Sequence, residues 1–173
     1  MQGEPKVREK LPVHRAGSEE GMQSYVLWVD GLVGRSLKLT LADLERLAQQ
    51  NLTEDFTCLE GWTVPGVKWR GVLLATVLAF AEPRAEARYV QASAGDFSLP
   101  LPRDRAERAL LAIRLDEGGV PVEHGGPVRL VVPGGECFTS IKWLDHLELR
   151  AEPGENTAKT IALGRLSSPQ HRE

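Results

Sequence analysis

Cys58, Glu60, His124, Arg129 and Lys142 are the residues of this chain whose types and surroundings could do chemistry. Cys58 stands where the β-rich stretch Phe56-Thr57 runs into the polar, glycine-containing turn Leu59-Glu60-Gly61-Trp62. A free cysteine is more often a small buried hydrophobe than a reactive group. Strand ends that feed irregular loops, however, are common places for functional side chains. A thiolate there would serve as a nucleophile or as a soft-metal ligand. Glu60 could act as a general acid or base, against the plainer reading of a solvated or ion-paired glutamate. Arg129 interrupts the apolar run Val128–Val132, and Lys142 sits the same way between Ile141 and Trp143. Arginine is rarely buried without a partner, and neither cation has a carboxylate mate nearby in sequence. Together with His124 and the glycine pairs at 125–126 and 134–135, they suggest a pocket for a buried anion. Phosphate suits it, because guanidinium forks and free backbone N–H groups match its oxygens. For His124 the plainer alternative is a ring satisfied by backbone groups in a turn. Cys137 reads as structural or incidental, Asp96 as a turn residue, and Trp62 and Trp69 as packing residues.

Short strands and a few helices must position these groups. Tyr25–Val29 is a β-rich run closed by the turn pair Asp30-Gly31. A helix follows, with Thr40 as cap, Asp43 at its third position, and Leu41, Leu44 and Leu47 on one face. Leu73, Leu74, Val77, Leu78 and Ala81 form the stripe of a second helix that ends near Pro83. Strands are expected over 88–92, 110–115 and 128–132, with at least one more in 141–149, and a turn at Asp116–Gly119. No regular βαβ alternation exists, which favours a mixed α+β fold over a doubly wound parallel sheet. Residues 1–22 read as a flexible leader, 23–152 as the domain, and 153–173 as an irregular tail.

Composition narrows the function classes. The chain has 173 residues, 42% hydrophobic and 26% charged, which is one globular domain's worth. The longest apolar run, Val72–Ala81, is ten residues, short of the about 18 a spanning helix needs. A net charge of −3 with interspersed signs argues against a nucleic-acid binder. Two cysteines with no paired spacing make neither a disulfide framework nor a zinc site. The polar N-terminal stretch carries no apolar signal core, so a cytoplasmic setting is expected.

The segment Phe56-Thr57-Cys58-Leu59-Glu60-Gly61-Trp62, with the later Trp69-Arg70-Gly71-Val72-Leu73-Leu74, resembles a known signature. So does Pro121–Pro133, followed by Ile141-Lys142-Trp143-Leu144. Together they resemble the molybdopterin-binding catalytic domain of the sulfite oxidase family over roughly residues 24 to 150. That family includes the catalytic subunit of the bacterial protein-methionine-sulfoxide reductase. The resemblance implies a mixed α+β fold holding molybdopterin with molybdenum, the metal being bound by the pterin dithiolene and Cys58. It implies that His124 and Arg129 hold the phosphate and neighbouring pterin groups, that Ser140, Ile141 and Lys142 add backbone and ammonium contacts, and that Ser93 touches the pterin. Two-electron oxygen-atom transfer on a small substrate follows, with electrons exchanged through an external donor or acceptor. Sulfite-oxidising members carry arginines soon after the metal cysteine, where this chain has Leu59-Glu60-Gly61-Trp62; the family's active-site tyrosine is replaced by Phe97. The Cys-x-Glu-x-Trp pattern is nearer the sulfoxide-reductase branch, so a sulfoxide or related S- or N-oxide is expected rather than sulfite, with Cys58 and Glu60 catalytic. The alternatives are a non-catalytic module that binds the pterin or another phosphate ligand, and a metal-free thiol enzyme.

Overall fold

Alternation of buried and exposed side chains shapes the first strand. In β1 (Val26–Gly31) Leu27 and Val29 point into the core, while Trp28 between them is 50% exposed, with the Lys38 ammonium 5.1 Å from its ring centroid. β2 (Leu37–Thr40) pairs antiparallel with β1 and leads into α1 (Leu41–Arg46). The expected cap is present: the Thr40 hydroxyl accepts from the Asp43 N–H, and the Asp43 carboxylate accepts from the Thr40 N–H. The computed structural model describes Leu11 and residues 24–167. The leader reading of 1–22 therefore lies outside the described residues except at Leu11, which is 2% exposed and buried among Val64, Val67 and Trp69.

Among the described residues the chain continues through β3 (Gln50–Thr57), β4 (Thr63–Leu73), α2 (Leu74–Ala81), β5 (Tyr89–Ala94), β6 (Phe97–Pro102), α3 (Arg103–Glu107), β7 (Leu110–Leu115), β8 (Gly118–Gly119), β9 (Arg129–Val131), β10 (His146–Arg150) and α4 (Thr157–Leu166). One sheet has the order β2-β1-β10-β5-β6, with β1 and β10 parallel. The other runs β3-β4-β7, and β8 and β9 pair with opposite ends of β7. The architecture is the mixed α+β one expected.

Around β7 and β9 the second sheet is buried on both faces. Leu111 and Ile113 of β7 join the main core with Leu130 of β9, whereas Leu110, Ala112 and Val131 join a second cluster around Trp69. That is why β7 opens with the continuous apolar run Leu110–Ile113 and does not alternate there. Arg129 shares the face of Val131 by the two-residue period of a strand. Its guanidinium is thus delivered to the side where Phe56 and Trp69 pack.

Some elements differ from expectation. β4 is an 11-residue strand that periodicity does not announce, because Pro65, Gly66 and Gly71 punctuate it. A register shift between Arg70 and Gly71 accommodates its pairing with β7. The tail is not irregular throughout: α4 occupies part of it. Asn156 caps this helix by accepting from the Lys159 N–H at 3.0 Å. The buried amide of Gln91 holds the preceding segment, donating to the Glu155 carbonyl at 2.7 Å and accepting from the Gly154 N–H at 3.1 Å. A glutamine inside β5 needs both bonds once desolvated, so an order that no local pattern announces is imposed from another strand.

Two segments between the sheets are laced together. Leu130 donates its N–H to the Ile141 carbonyl, Leu144 to that of Val128, and Trp143 to that of Gly125, all at 2.9–3.0 Å. Trp143 adopts φ 54, a region L residues rarely enter, and its indole N–H also donates to the Val122 carbonyl at 2.8 Å. Gly125 faces it at φ +95, where an added Cβ would lie 2.5 Å from Lys142 Cγ and 2.8 Å from its Cα. Gly125→Ala is therefore expected to destabilise the chain by about 2–4 kcal/mol, adding steric overlap to backbone strain. Gly61→Ala, also at positive φ but with no atom within 4 Å of its added Cβ, is expected to cost about half as much. Urea unfolding midpoints of the two variants check the ordering.

Candidate functional site

Cys58 is the first residue beyond β3 and opens the turn joining it to β4. The turn is closed by Cys58 N–H donating to the Trp62 carbonyl at 2.9 Å and Gly61 N–H to the Cys58 carbonyl at 3.0 Å. Gly61 takes φ 92, a left-handed conformation that glycine supplies without cost. The sulfur accepts a hydrogen bond from the Glu60 backbone N–H, which favours the thiolate, but burial outweighs it and pushes the thiol above its ordinary value. The Glu60 carboxylate accepts from the Trp62 indole at 3.2 Å, and Trp62 in turn packs on Phe56 with ring centroids 5.9 Å apart.

Arg129 is 1% exposed. Its Nε donates to the Ser140 hydroxyl at 2.9 Å and its Nη1 to the His124 carbonyl at 3.1 Å. The guanidinium also lies 5.3 Å from the Phe56 ring centroid and 5.1 Å from that of Trp69, a double cation–π contact. No carboxylate among the described residues forms an ion pair with it. Burial lowers its pKa to about 10, so it remains charged at neutral pH. Lys142 is lowered to about 7, first by burial and then by the positive charges of Arg129 and Arg165.

These groups meet at one cavity of about 230 Å³. Of the expected site residues, Cys58, Glu60, Arg129, Ser140, Ile141 and Lys142 line it. Ser93 and His124 do not. Ser93 sits within β5, where its carbonyl accepts from the Asp145 N–H, and His124 is buried in the short 3-10 turn Val122–His124 behind Arg129. The walls are Phe56, Trp62, Phe97, Phe138 and Trp143, and α4 supplies Ala158, Ile161, Ala162 and Arg165. Sequence reading missed two members. Cys137, read as incidental, lines the cavity and interacts with the Cys58 thiol. Arg165 belongs to the segment read as irregular. Neither carries a local signal, because both reach the site through packing of segments remote in the chain.

The donor set suits a thiophilic metal held in an anionic chelate. Cys58 offers one soft sulfur at the lip. Among the described residues no three His, Cys, Asp or Glu side chains gather as a self-sufficient metal cage, so a metal bound by Cys58 would bring its other donors with it, as a dithiolene does. Arg129 and Arg165 raise the electrostatic cost of a charged Lys142, and an anionic end group such as a phosphate relieves it. No helix among the described residues is long and apolar enough to cross a membrane.

Comparison with known proteins agrees with this geometry. YuiH of Bacillus subtilis, described as an uncharacterized oxidoreductase, is 31% identical over 84% of this chain and 77% of its own length. The protein-methionine-sulfoxide reductase catalytic subunit MsrP of Pseudomonas syringae is 26% identical over 87% of this chain, which spans 50% of that relative. Among solved structures, the sulfane dehydrogenase SoxCD of Paracoccus pantotrophus superposes with a TM-score of 0.75 and 26% identity, over 84% of this chain and 43% of that one. Residues 12–158 match the family described as the oxidoreductase molybdopterin binding domain. The chain belongs to that family of oxidoreductases.

Proposed function

We propose that this chain binds molybdenum–molybdopterin and catalyses two-electron oxygen-atom transfer on a small neutral oxo-compound, a sulfoxide or related S- or N-oxide. The single observation that carries the substrate reading is the lip beside Cys58, where the Glu60 carboxylate is held by the Trp62 indole. A carboxylate there repels sulfite, and aromatic walls at Phe56, Phe97, Phe138 and Trp143 suit a neutral, partly apolar substrate. The similarity to a methionine-sulfoxide reductase subunit points the same way.

In this reading Cys58 holds the metal as a thiolate, giving up its proton on ligation. The bound group supplies the two-electron redox chemistry. Arg129, Ser140 and Lys142 hold the anionic end of the pterin, with Ile141 walling it. The His124 carbonyl contributes by fixing the Arg129 fork. Glu60 orients the substrate and can exchange a proton with the oxygen that departs as water. Electrons come from an external partner.

Expression in a host that makes the cofactor tests the reading. Wild-type protein should carry near-stoichiometric molybdenum and a thiolate-to-metal absorption band, and Cys58→Ser should lose that band. Turnover of a small sulfoxide with an artificial donor should exceed sulfite oxidation. Bound pterin without turnover of any oxo-substrate would leave a binding module instead. Arg129→Ala should lower cofactor retention about 10–100-fold, the worth of a charge-assisted bond. Glu60→Gln should change kcat or KM at unchanged molybdenum content; an empty site in that variant would remove Glu60 from the substrate side.

Lys142 adds a pH signature. In the folded chain it takes up its proton only below about 7, against 10.5 for the ordinary side chain. Between those values the unfolded state binds more protons, so this residue makes stability rise as pH increases through that window and level off below it. In cofactor-free protein Lys142→Met should flatten the rise and gain about 1–2 kcal/mol near pH ~6, a figure discounted because the side chain stays partly wetted. Urea melts across the pH range check both the slope and the gain.

A further inference from the structure

Cys137 has no part in the reading above, yet it is placed as a functional thiol would be. It opens the short turn Cys137–Thr139, beyond the Gly134-Gly135 pair that follows β9. Cys58 opens the β3–β4 turn on the facing wall. Both thiols are free and partly exposed, and both line the same cavity. The two thiols interact with each other, and Cys137 also interacts electrostatically with the buried Arg129 guanidinium. Inert structural cysteines sit in apolar interiors, whereas redox-active ones are partly exposed beside a cation and a second thiol.

We propose that in the cofactor-free chain Cys58 and Cys137 form a reversible disulfide that withholds the Cys58 sulfur from the metal, so that reduction must precede cofactor loading. The gate rests on the reading of Cys58 as the metal ligand; the disulfide itself does not. The oxidant is a small disulfide such as oxidised glutathione. One protein thiolate attacks it, forming a mixed disulfide and expelling one small thiolate. The other protein thiolate then attacks the protein sulfur of that mixed disulfide and expels the second. The protein pair loses two electrons and two protons, and the small disulfide becomes two thiols. Once Cys58 is bonded to the metal it is no longer available for exchange, so loading protects the site and oxidation closes it.

Full-length protein made without cofactor is treated with oxidised glutathione. Intact mass should fall by about 2 Da, two hydrogens, and peptide mapping should join the Cys58 and Cys137 peptides. A thiol reductant should reverse both, and Cys137→Ser should show neither. Incubated with molybdenum–molybdopterin released from a donor enzyme, oxidised wild type should take up about ten-fold less molybdenum than reduced wild type. Cys137→Ser should load equally with or without the oxidant. Separate glutathione adducts with no cross-link would overturn the proposal, as would equal loading of oxidised and reduced wild type. A cross-link in protein that takes up no molybdenum even when reduced would remove the gate and the cofactor reading together, whereas loading without a cross-link would remove the gate alone.

Discussion

Arg129 carries a full positive charge at a position almost sealed from water, and a charge placed there must be met from several directions at once. Its β-strand sets the direction, since the two-residue period turns the side chain to the face where Phe56 and Trp69 lie. The His124 carbonyl and the Ser140 hydroxyl complete the shell. Three otherwise separate segments are thereby held to one another: the 3-10 turn before the cis Gly126–Pro127 bond, β9, and the loop leading to Lys142. The backbone lacing of 125–130 to 141–144 serves the same end. Arg129 is thus both a structural tie and the positive wall of the cavity.

The sulfur side of the cavity is built by different means. Cys58 owes its place to a tight turn between two long paired strands, and the neighbouring Glu60 and Trp62 come with it. A soft donor on one wall and a group of cations on the other suit a ligand that is metallic at one end and anionic at the other. Membership of the oxidoreductase molybdopterin binding domain family is consistent with such a division. The helix α4, packed against β6 and the Cys137–Thr139 turn, adds an apolar wall and the further cation Arg165.

Much of the fold was legible locally. The Thr40–Asp43 cap, the α2 stripe, β7 and β9 all follow from short-range patterns in which one residue's neighbours decide its conformation. β4 was not, because its proline and glycines hide a strand whose stability comes from pairing with β3 on one side and β7 on the other. α4 was not, because Gln91 and Ser98 order the segment from the opposite strands. In the site, Cys58, Glu60, Arg129 and Lys142 could be picked by type and setting, since a thiol at a strand end or a cation inside an apolar run is conspicuous against its neighbours.

The sequence by itself determined the chemical inventory: a soft sulfur, embedded cations and glycines able to take left-handed turns, because those properties belong to residue types and their immediate surroundings. Only the tertiary structure decided which of them share a cavity. It brought Cys137 to the cavity of Cys58 and Arg165 toward Lys142, and it left Ser93 and His124 out of the lining. The reason is that sheet register and core packing, acting between segments far apart in the chain, control distances on which local pattern has no bearing.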